Sequence, residues 1–127
     1  MSGLRAYLAA IGAALLVQGS LSLVLHEALA VDLSPLHGFL TTDNRHAALH
    51  VAWGLVLVAV AAGAAHERTV IAAGVVFGSF YTALGVLGLL VHDPLGLHLG
   101  WGENVFHLLV GPAALILALR PAATAAT

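Results

Sequence analysis

The sequence contains no cysteine and no lysine, and only 8% of its 127 residues are charged. The absence of cysteine excludes disulfides, thiolate metal sites and cysteine nucleophiles. Four arginines and a formal net charge of −2 provide no basic cluster. Nucleic-acid binding needs several cationic contacts to phosphates, so we exclude nucleic acid as a partner. Soluble domains average about 25% charged residues, so this chain has too few to cover a surface that faces water.

Hydrophobic residues make up 61% of the chain and form four runs, at about 4–25, 46–65, 69–91 and 104–119. Each run is close to the ~20 residues that cross a ~30 Å hydrocarbon core. Because hydrocarbon offers the backbone no hydrogen bonds, the runs should be α-helices. We therefore predict an all-α membrane protein with one domain, residues 1–127, whose four transmembrane helices form a four-helix bundle in the lipid bilayer. A signal peptide is the alternative for the first run, which is long for that role.

The arginines predict the orientation of these helices. An even number of spans puts both termini and the short connection between the second and third runs on one side. That side carries Arg5, Arg68 and Arg120, whereas the other carries only Arg45. Since positive residues accumulate on the cytoplasmic side, we predict an inner (plasma) membrane protein with both termini in the cytoplasm.

An internal repeat is visible in two pairs of segments. LVLHEAL aligns with LLVHDPL, and HVAWG aligns with HLLVG, so that four histidines form two pairs, His26 with His92 and His50 with His107. The halves, about residues 4–65 and 69–119, are then two helical hairpins in the same orientation. Such parallel repeats are related by an axis along the membrane normal.

This arrangement gathers polar residues at the outer face. Seven of the eight histidines are expected there: His26, His37, His46, His50, His92, His98 and His107. Five of the six acids are also expected there: Glu27, Asp32, Asp43, Asp93 and Glu103. We therefore predict an outer face that is rich in histidine and acidic residues. A shared depth in the membrane does not by itself bring these side chains within bonding distance of one another.

Three segments, GFLTTDNRHAALHVAWG, VVFGSFYTALGVLGLL and ENVFHLLVG, resemble a bacterial family of small four-helix membrane proteins, domain of unknown function 4383. The resemblance covers about residues 36–120, and its sharpest element is the Asn-x-x-His of Asn104 and His107. It implies a four-helix membrane fold and no particular activity.

Some of the outer histidines have the spacing of metal ligands. His46 and His50 lie four residues apart and share a helix face, and imidazole suits zinc, copper, iron or nickel. In the alternative interpretation, His46 lies in interfacial water and only His50 lies inside. Glu27 and Asp93 are expected at helix C-termini, where anions are unfavourable unless a cation or a protonated histidine is near. The candidate metal ligands are His26, Glu27, His46, His50, His92, Asp93 and His107.

The duplicated His-x-x-x-Gly suggests a cofactor site as a further alternative. His50 precedes Gly54, and His107 precedes Gly111, each by one helical turn. Two histidines can ligate haem, and the glycines would admit the porphyrin edge. We instead expect that the glycines allow close helix packing, that both histidines are neutral and hydrogen-bonded to protein groups, and that no cofactor is bound.

The third run carries glycines near one face, namely Gly74, Gly78, Gly85 and Gly88, with Tyr81 among them. Such a face is typical of a helix-packing seam, and a groove for a lipid tail or pigment is the alternative. The serines fit no nucleophile motif, and no acid or arginine lies at mid-membrane to mark a transport path. Our leading functional interpretation is a non-catalytic structural or accessory protein that self-associates or joins a larger membrane complex. The alternative is a metal- or haem-binding membrane module.

Overall fold

The computed structural model describes residues 2–32, 41, 43–91 and 93–120, and these form an all-helical structure without strands. Its long helices are α1 (Ser2–Leu23), α2 (Asn44–Gly63), α3 (Glu67–Leu90) and α4 (Trp101–Leu119). A π-helical turn, Val24–Ala28, prolongs α1, and a 3₁₀ turn, Pro94–Gly96, precedes α4. All four helices are long and apolar enough to cross a membrane. The predicted all-α class with four such helices is therefore confirmed.

Polar residues outside the apolar runs determine where α2 and α4 begin. The Asp43 carboxylate caps α2 by accepting a hydrogen bond from the backbone N–H of Arg45 at 2.9 Å. The Glu103 carboxylate accepts one from the N–H of Gly100 at 2.6 Å, as in a capping box. Both helices consequently begin before the hydrophobic runs do, because a cap satisfies backbone donors that the apolar run does not mark.

The bundle consists of two tightly packed hairpins, α1 with α2 and α3 with α4. Glycines form both seams. A β-carbon at Gly54 would lie 2.7 Å from the carbonyl oxygen of Gly12, and one at Gly111 would lie 2.9 Å from that of Gly78. Only glycine allows the backbones to approach this closely.

The two seams place glycines at several equivalent positions. A β-carbon at Gly19 would lie 3.0 Å from the Cβ of His50, and one at Gly85 would lie 3.1 Å from the Cβ of His107. Gly19 and Gly85 are as far apart in the sequence as Gly12 and Gly78, and as His26 and His92. Each hairpin therefore holds its histidine against the same glycine position.

Hydrogen bonds connect the hairpins at several depths. The Tyr7 hydroxyl on α1 donates to the carbonyl of Val110 on α4 at 2.7 Å. At one end, the backbone N–H of His98 lies 3.4 Å from the Asp43 carboxylate, so the α1–α2 and α3–α4 connections meet. We call the end of the bundle at which His98 and Asp43 lie the histidine end. At the opposite end, Arg5 donates to the carbonyls of Ala61 and Ala64 and closes the last turn of α2.

Candidate metal centre

Three histidines meet inside the bundle near the histidine end. His46 and His50 lie one turn apart on α2, and His107 faces them from α4; their exposed fractions are 0%, 4% and 0%. One nitrogen from each of the three rings lies within 4.8 Å of the corresponding nitrogens of the other two rings. Among the residues that the structure describes, this is the one such cluster of possible metal ligands. The expectation that His46 lies in interfacial water is wrong, because α4 covers it.

Most nitrogens of these rings lack a hydrogen bond. Within the described residues, both nitrogens of His46, both of His107 and Nε2 of His50 are buried without a hydrogen-bond partner. The expectation that His107 is hydrogen-bonded to a protein group is therefore wrong. An unpaired buried polar group costs roughly 1–3 kcal/mol, so five together are a large uncompensated cost.

Two side-chain oxygens lie close to the histidines of α2. The Gln18 side-chain oxygen, on α1, lies 2.5 Å from His50 Nδ1. Because an amide oxygen only accepts, His50 Nδ1 carries the proton and Nε2 offers its lone pair. The Glu103 Oε1 atom, on α4, lies 3.3 Å from His46 Nδ1. Metal-bound histidines commonly have an acceptor at the nitrogen that does not bind the ion, as Gln18 provides for His50.

The donor set fits a transition-metal ion. Zinc–nitrogen bonds of ~2.1 Å separate two nitrogens by about 3.4 Å in a tetrahedral site. The imidazoles here lie within 4.8 Å, so side-chain shifts of about 1 Å would bring all three onto one ion. A carboxylate 3.3 Å from the first histidine supplies a fourth donor and a negative charge.

The ligands form two similar pairs. His46 and His50 occupy positions four apart on α2, and Glu103 and His107 occupy positions four apart on α4. In the register that pairs His50 with His107, His46 corresponds to Glu103. Each hairpin thus contributes one histidine at the deeper position and a different ligand one turn nearer the histidine end.

The glycines proposed to admit a porphyrin do not do so. A β-carbon at Gly54 would lie 2.8 Å from the backbone nitrogen of Leu16, and one at Gly111 would lie 2.5 Å from that of Thr82. The adjoining helix of the same hairpin therefore fills the space in front of each glycine. The neighbouring cavity, about 210 Å³, is also smaller than the ~300–1,000 Å³ of typical small-molecule pockets. The arrangement does not fit haem.

The other candidate ligands lie elsewhere. His26 and Glu27 are exposed in the π-helical turn, where Asn44 accepts from His26 and donates to Glu27. Asp93 is exposed near His98. His92 lies outside the described residues. Water and these local contacts account for the acids at the helix ends, so neither acid requires a bound cation.

The glycines of α3 lie where helix packing is close. Gly74, Gly78 and Gly85 are buried, and Gly78 lies against the backbone of Gly111 and Leu115. Gly88 lies against the side chain of Asn104, whose amide donates to the Gly88 carbonyl at 3.0 Å. This face of α3 therefore contacts α4.

Sequence reasoning missed Gln18 and named Glu103 only among the acids of the outer face. A signal existed for both. Gln18 is the one amide side chain in the first apolar run, and Glu103 precedes His107 by the interval that separates His46 from His50. Glu103 has two roles, since Oε2 caps α4 and Oε1 faces His46.

Comparison with family models, with curated proteins and with solved structures finds no match to this chain. The resemblance to domain of unknown function 4383 therefore stays a prediction from the sequence.

Proposed function

We propose that this chain is a membrane protein that binds one transition-metal ion through His46, His50 and His107, with Glu103 as the fourth ligand. One observation carries the proposal: five imidazole nitrogens of three neighbouring histidines are buried without hydrogen-bond partners among the described residues. A purely structural role leaves their cost unexplained. Metal ligation would compensate three of the five nitrogens, because the ion accepts one lone pair from each ring.

The chemistry of the ligands narrows the choice of metal. Imidazole suits zinc, copper, iron and nickel, whereas magnesium and calcium prefer oxygen ligands. Three imidazoles and one carboxylate resemble the nitrogen- and oxygen-rich sites of zinc and non-haem iron. Because the imidazoles must be deprotonated to bind, affinity for the ion should fall as the pH is lowered.

Placement in the inner (plasma) membrane is supported by the surface of the bundle. Large aliphatic side chains are exposed along all four helices, including Val17, Leu55, Val76 and Leu109. A water-facing surface would not carry so extensive an apolar area. Trp101 is 78% exposed at the start of α4, a position typical of the aromatic belt at a membrane boundary. With both termini cytoplasmic, the metal lies in the outer half of the bundle.

We also propose that the chain arose from duplication of one hairpin. The equivalent glycine seams support this, because the same register aligns the glycines, the deeper histidines and the ligands one turn away. A pseudo-two-fold axis would then pass near the metal site, in agreement with the parallel repeats inferred from the sequence.

Metal binding tests the proposal directly. The full chain, purified in detergent with a histidine-free affinity tag, is dialysed anaerobically against Zn²⁺ or Fe²⁺ and its metal content is measured. We expect one ion per chain. His50→Ala and His107→Ala should each abolish stoichiometric binding, whereas His66→Ala, at an exposed position near the opposite end, should not.

Circular dichroism must show that each variant remains helical. A wild-type protein that binds neither ion would refute the proposal. So would helical His50→Ala and His107→Ala variants that retain a full complement of metal.

The orientation is tested with single cysteines in this cysteine-free chain. Thr69→Cys and His98→Cys lie in exposed segments at opposite ends of the bundle. In intact cells, a membrane-impermeant thiol reagent should label His98→Cys and spare Thr69→Cys. The reverse pattern would invert the proposed orientation.

A further inference from the structure

A cavity of about 210 Å³ lies against one side of the three histidines. Residues of α1, α2 and α4 line it: Ala14, Leu15, Gln18, His50, Glu103, Phe106 and His107. Its lining includes exposed Ala14 as well as buried His107. The cavity therefore connects the outside of the bundle with the ligand cluster.

The other side of the cluster is closed by packed aromatic rings. The buried ring of Tyr81 lies with its centroid 5.0 Å from that of His107 and 6.2 Å from that of His50. Phe77 and Trp53 pack behind it. An ion held by the histidines thus has protein on one side and the cavity on the other.

We propose that the ion keeps one coordination position facing this cavity and binds a neutral diatomic molecule there, such as O₂, NO or CO. This inference rests on the proposed metal-binding function. The open coordination position would distinguish the centre from a structural metal site. In structural sites protein ligands fill every position, whereas reactive sites keep a position for an exchangeable ligand.

The lining favours a neutral ligand over an anion. Ala14, Leu15 and Phe106 are apolar, and within the described residues no arginine lines the cavity. The Glu103 carboxylate lies at the same wall and offsets part of the positive charge of the ion, and an anion would also lose its hydration in a mostly apolar cavity. A diatomic gas is small, dissolves in hydrocarbon and can enter from the lipid side.

Binding is an addition reaction. The diatomic molecule donates an electron pair to the ion and forms one coordinate bond, and no protein bond breaks. Such ligands need a metal with available d electrons, which Fe²⁺ has and Zn²⁺ does not offer for this purpose. The inference therefore specifies a redox-active ion in the site.

The test uses nitric oxide with the Fe²⁺-loaded full chain under anaerobic conditions. We expect a high-spin iron–nitrosyl signal in the electron paramagnetic resonance spectrum, one per iron. Ala14→Phe should weaken nitric oxide binding by about ten-fold or more, because the ring occupies volume that the ligand needs, and leave the iron content unchanged. Ala13→Phe, the same change at the adjacent exposed position, should have no effect.

The outcomes separate this inference from the proposed function. A chain that binds no metal refutes both. Retention of iron without a nitrosyl signal, or retention of Zn²⁺ but not Fe²⁺, overturns the open position for a diatomic ligand and leaves the metal site standing. Azide binding as tight as that of nitric oxide would overturn the assignment of a neutral ligand.

Discussion

The two hairpins of this protein share a packing scheme and differ in their polar residues. Gly12 and Gly54 form the seam of the first hairpin as Gly78 and Gly111 form that of the second. In the same register, the first hairpin has Gln18 where the second has buried Leu84, and His46 where the second has Glu103.

This difference shows which residues the packing requires. Both seams need glycine at equivalent positions, because the nearest backbone atom of the neighbouring helix lies 2.5–3.1 Å from a β-carbon added at any of these four glycines. The same packing accommodates an amide or a leucine, and a histidine or a glutamate. The polar residues are therefore not demanded by the hairpin architecture, and their convergence on one point calls for a chemical explanation.

The largest effect on folding is expected when the close helix packing at a glycine seam is disrupted. Gly54→Leu or Gly111→Leu places a side chain where backbone atoms already lie within 2.9 Å of a single added carbon, so each should abolish the monodisperse folded protein in detergent. Gly63→Leu, where nothing lies within 4 Å, should be tolerated. Size-exclusion chromatography measures the result. A soluble, helical Gly111→Leu protein would contradict the packing scheme.

The next largest effect should come from Glu103→Gln. Glutamine can still cap α4 but lacks the negative charge of the proposed fourth ligand, so the fold should persist while affinity for Zn²⁺ falls by about 100-fold or more. Competition with a chromogenic chelator measures the affinity. Glu67→Gln, an exposed acid at the start of α3, is the control. Equal affinities for the two variants would remove Glu103 from the site.

Gln18→Leu should have a smaller effect. It gives the first hairpin the residue type of the second and removes the acceptor for His50 Nδ1. We expect full metal occupancy at saturation with affinity lowered about 10-fold, as for other orienting partners. Ser20→Leu, at an exposed position on the same helix, should match the wild type. An unchanged affinity in Gln18→Leu would show that the amide does not orient the ring.

The smallest expected effect is the difference in stability between two matched glycine variants, one in each hairpin. Gly12→Ala and Gly78→Ala each insert one carbon at 2.8–2.9 Å from a neighbour and should destabilise the protein by about 1–3 kcal/mol. Because the seams are equivalent, the difference between the two losses of stability should be smaller than either loss. Thermal unfolding in detergent measures them. A large loss in one variant and none in the other would mean that the seams are not equivalent.

The sequence predicts the four helices because apolar length marks them directly. It also aligns His50 with His107 and predicts that they share a depth, but it does not predict that they lie in one cluster. Burial of His46 is not visible in the sequence, since its position in the first turn of α2 suggests contact with water. Whether α4 covers that turn depends on the rotation of one hairpin against the other, which a glycine pattern within each hairpin does not specify. The sequence marks Gln18 as the one amide in the first apolar run but does not show that it faces His50 across the same hairpin.

The division of the ligands between the hairpins has a consequence for assembly. His46 and His50 come from one hairpin, and Glu103 and His107 come from the other, so an ion bound at the proposed site would cross-link two halves that are each held together by glycine seams. By mass action, an ion at 1,000 times its dissociation constant would stabilise the docked pair by about 4 kcal/mol. Metal supply would then tune how tightly the two halves are docked, in addition to the apolar core that they already share.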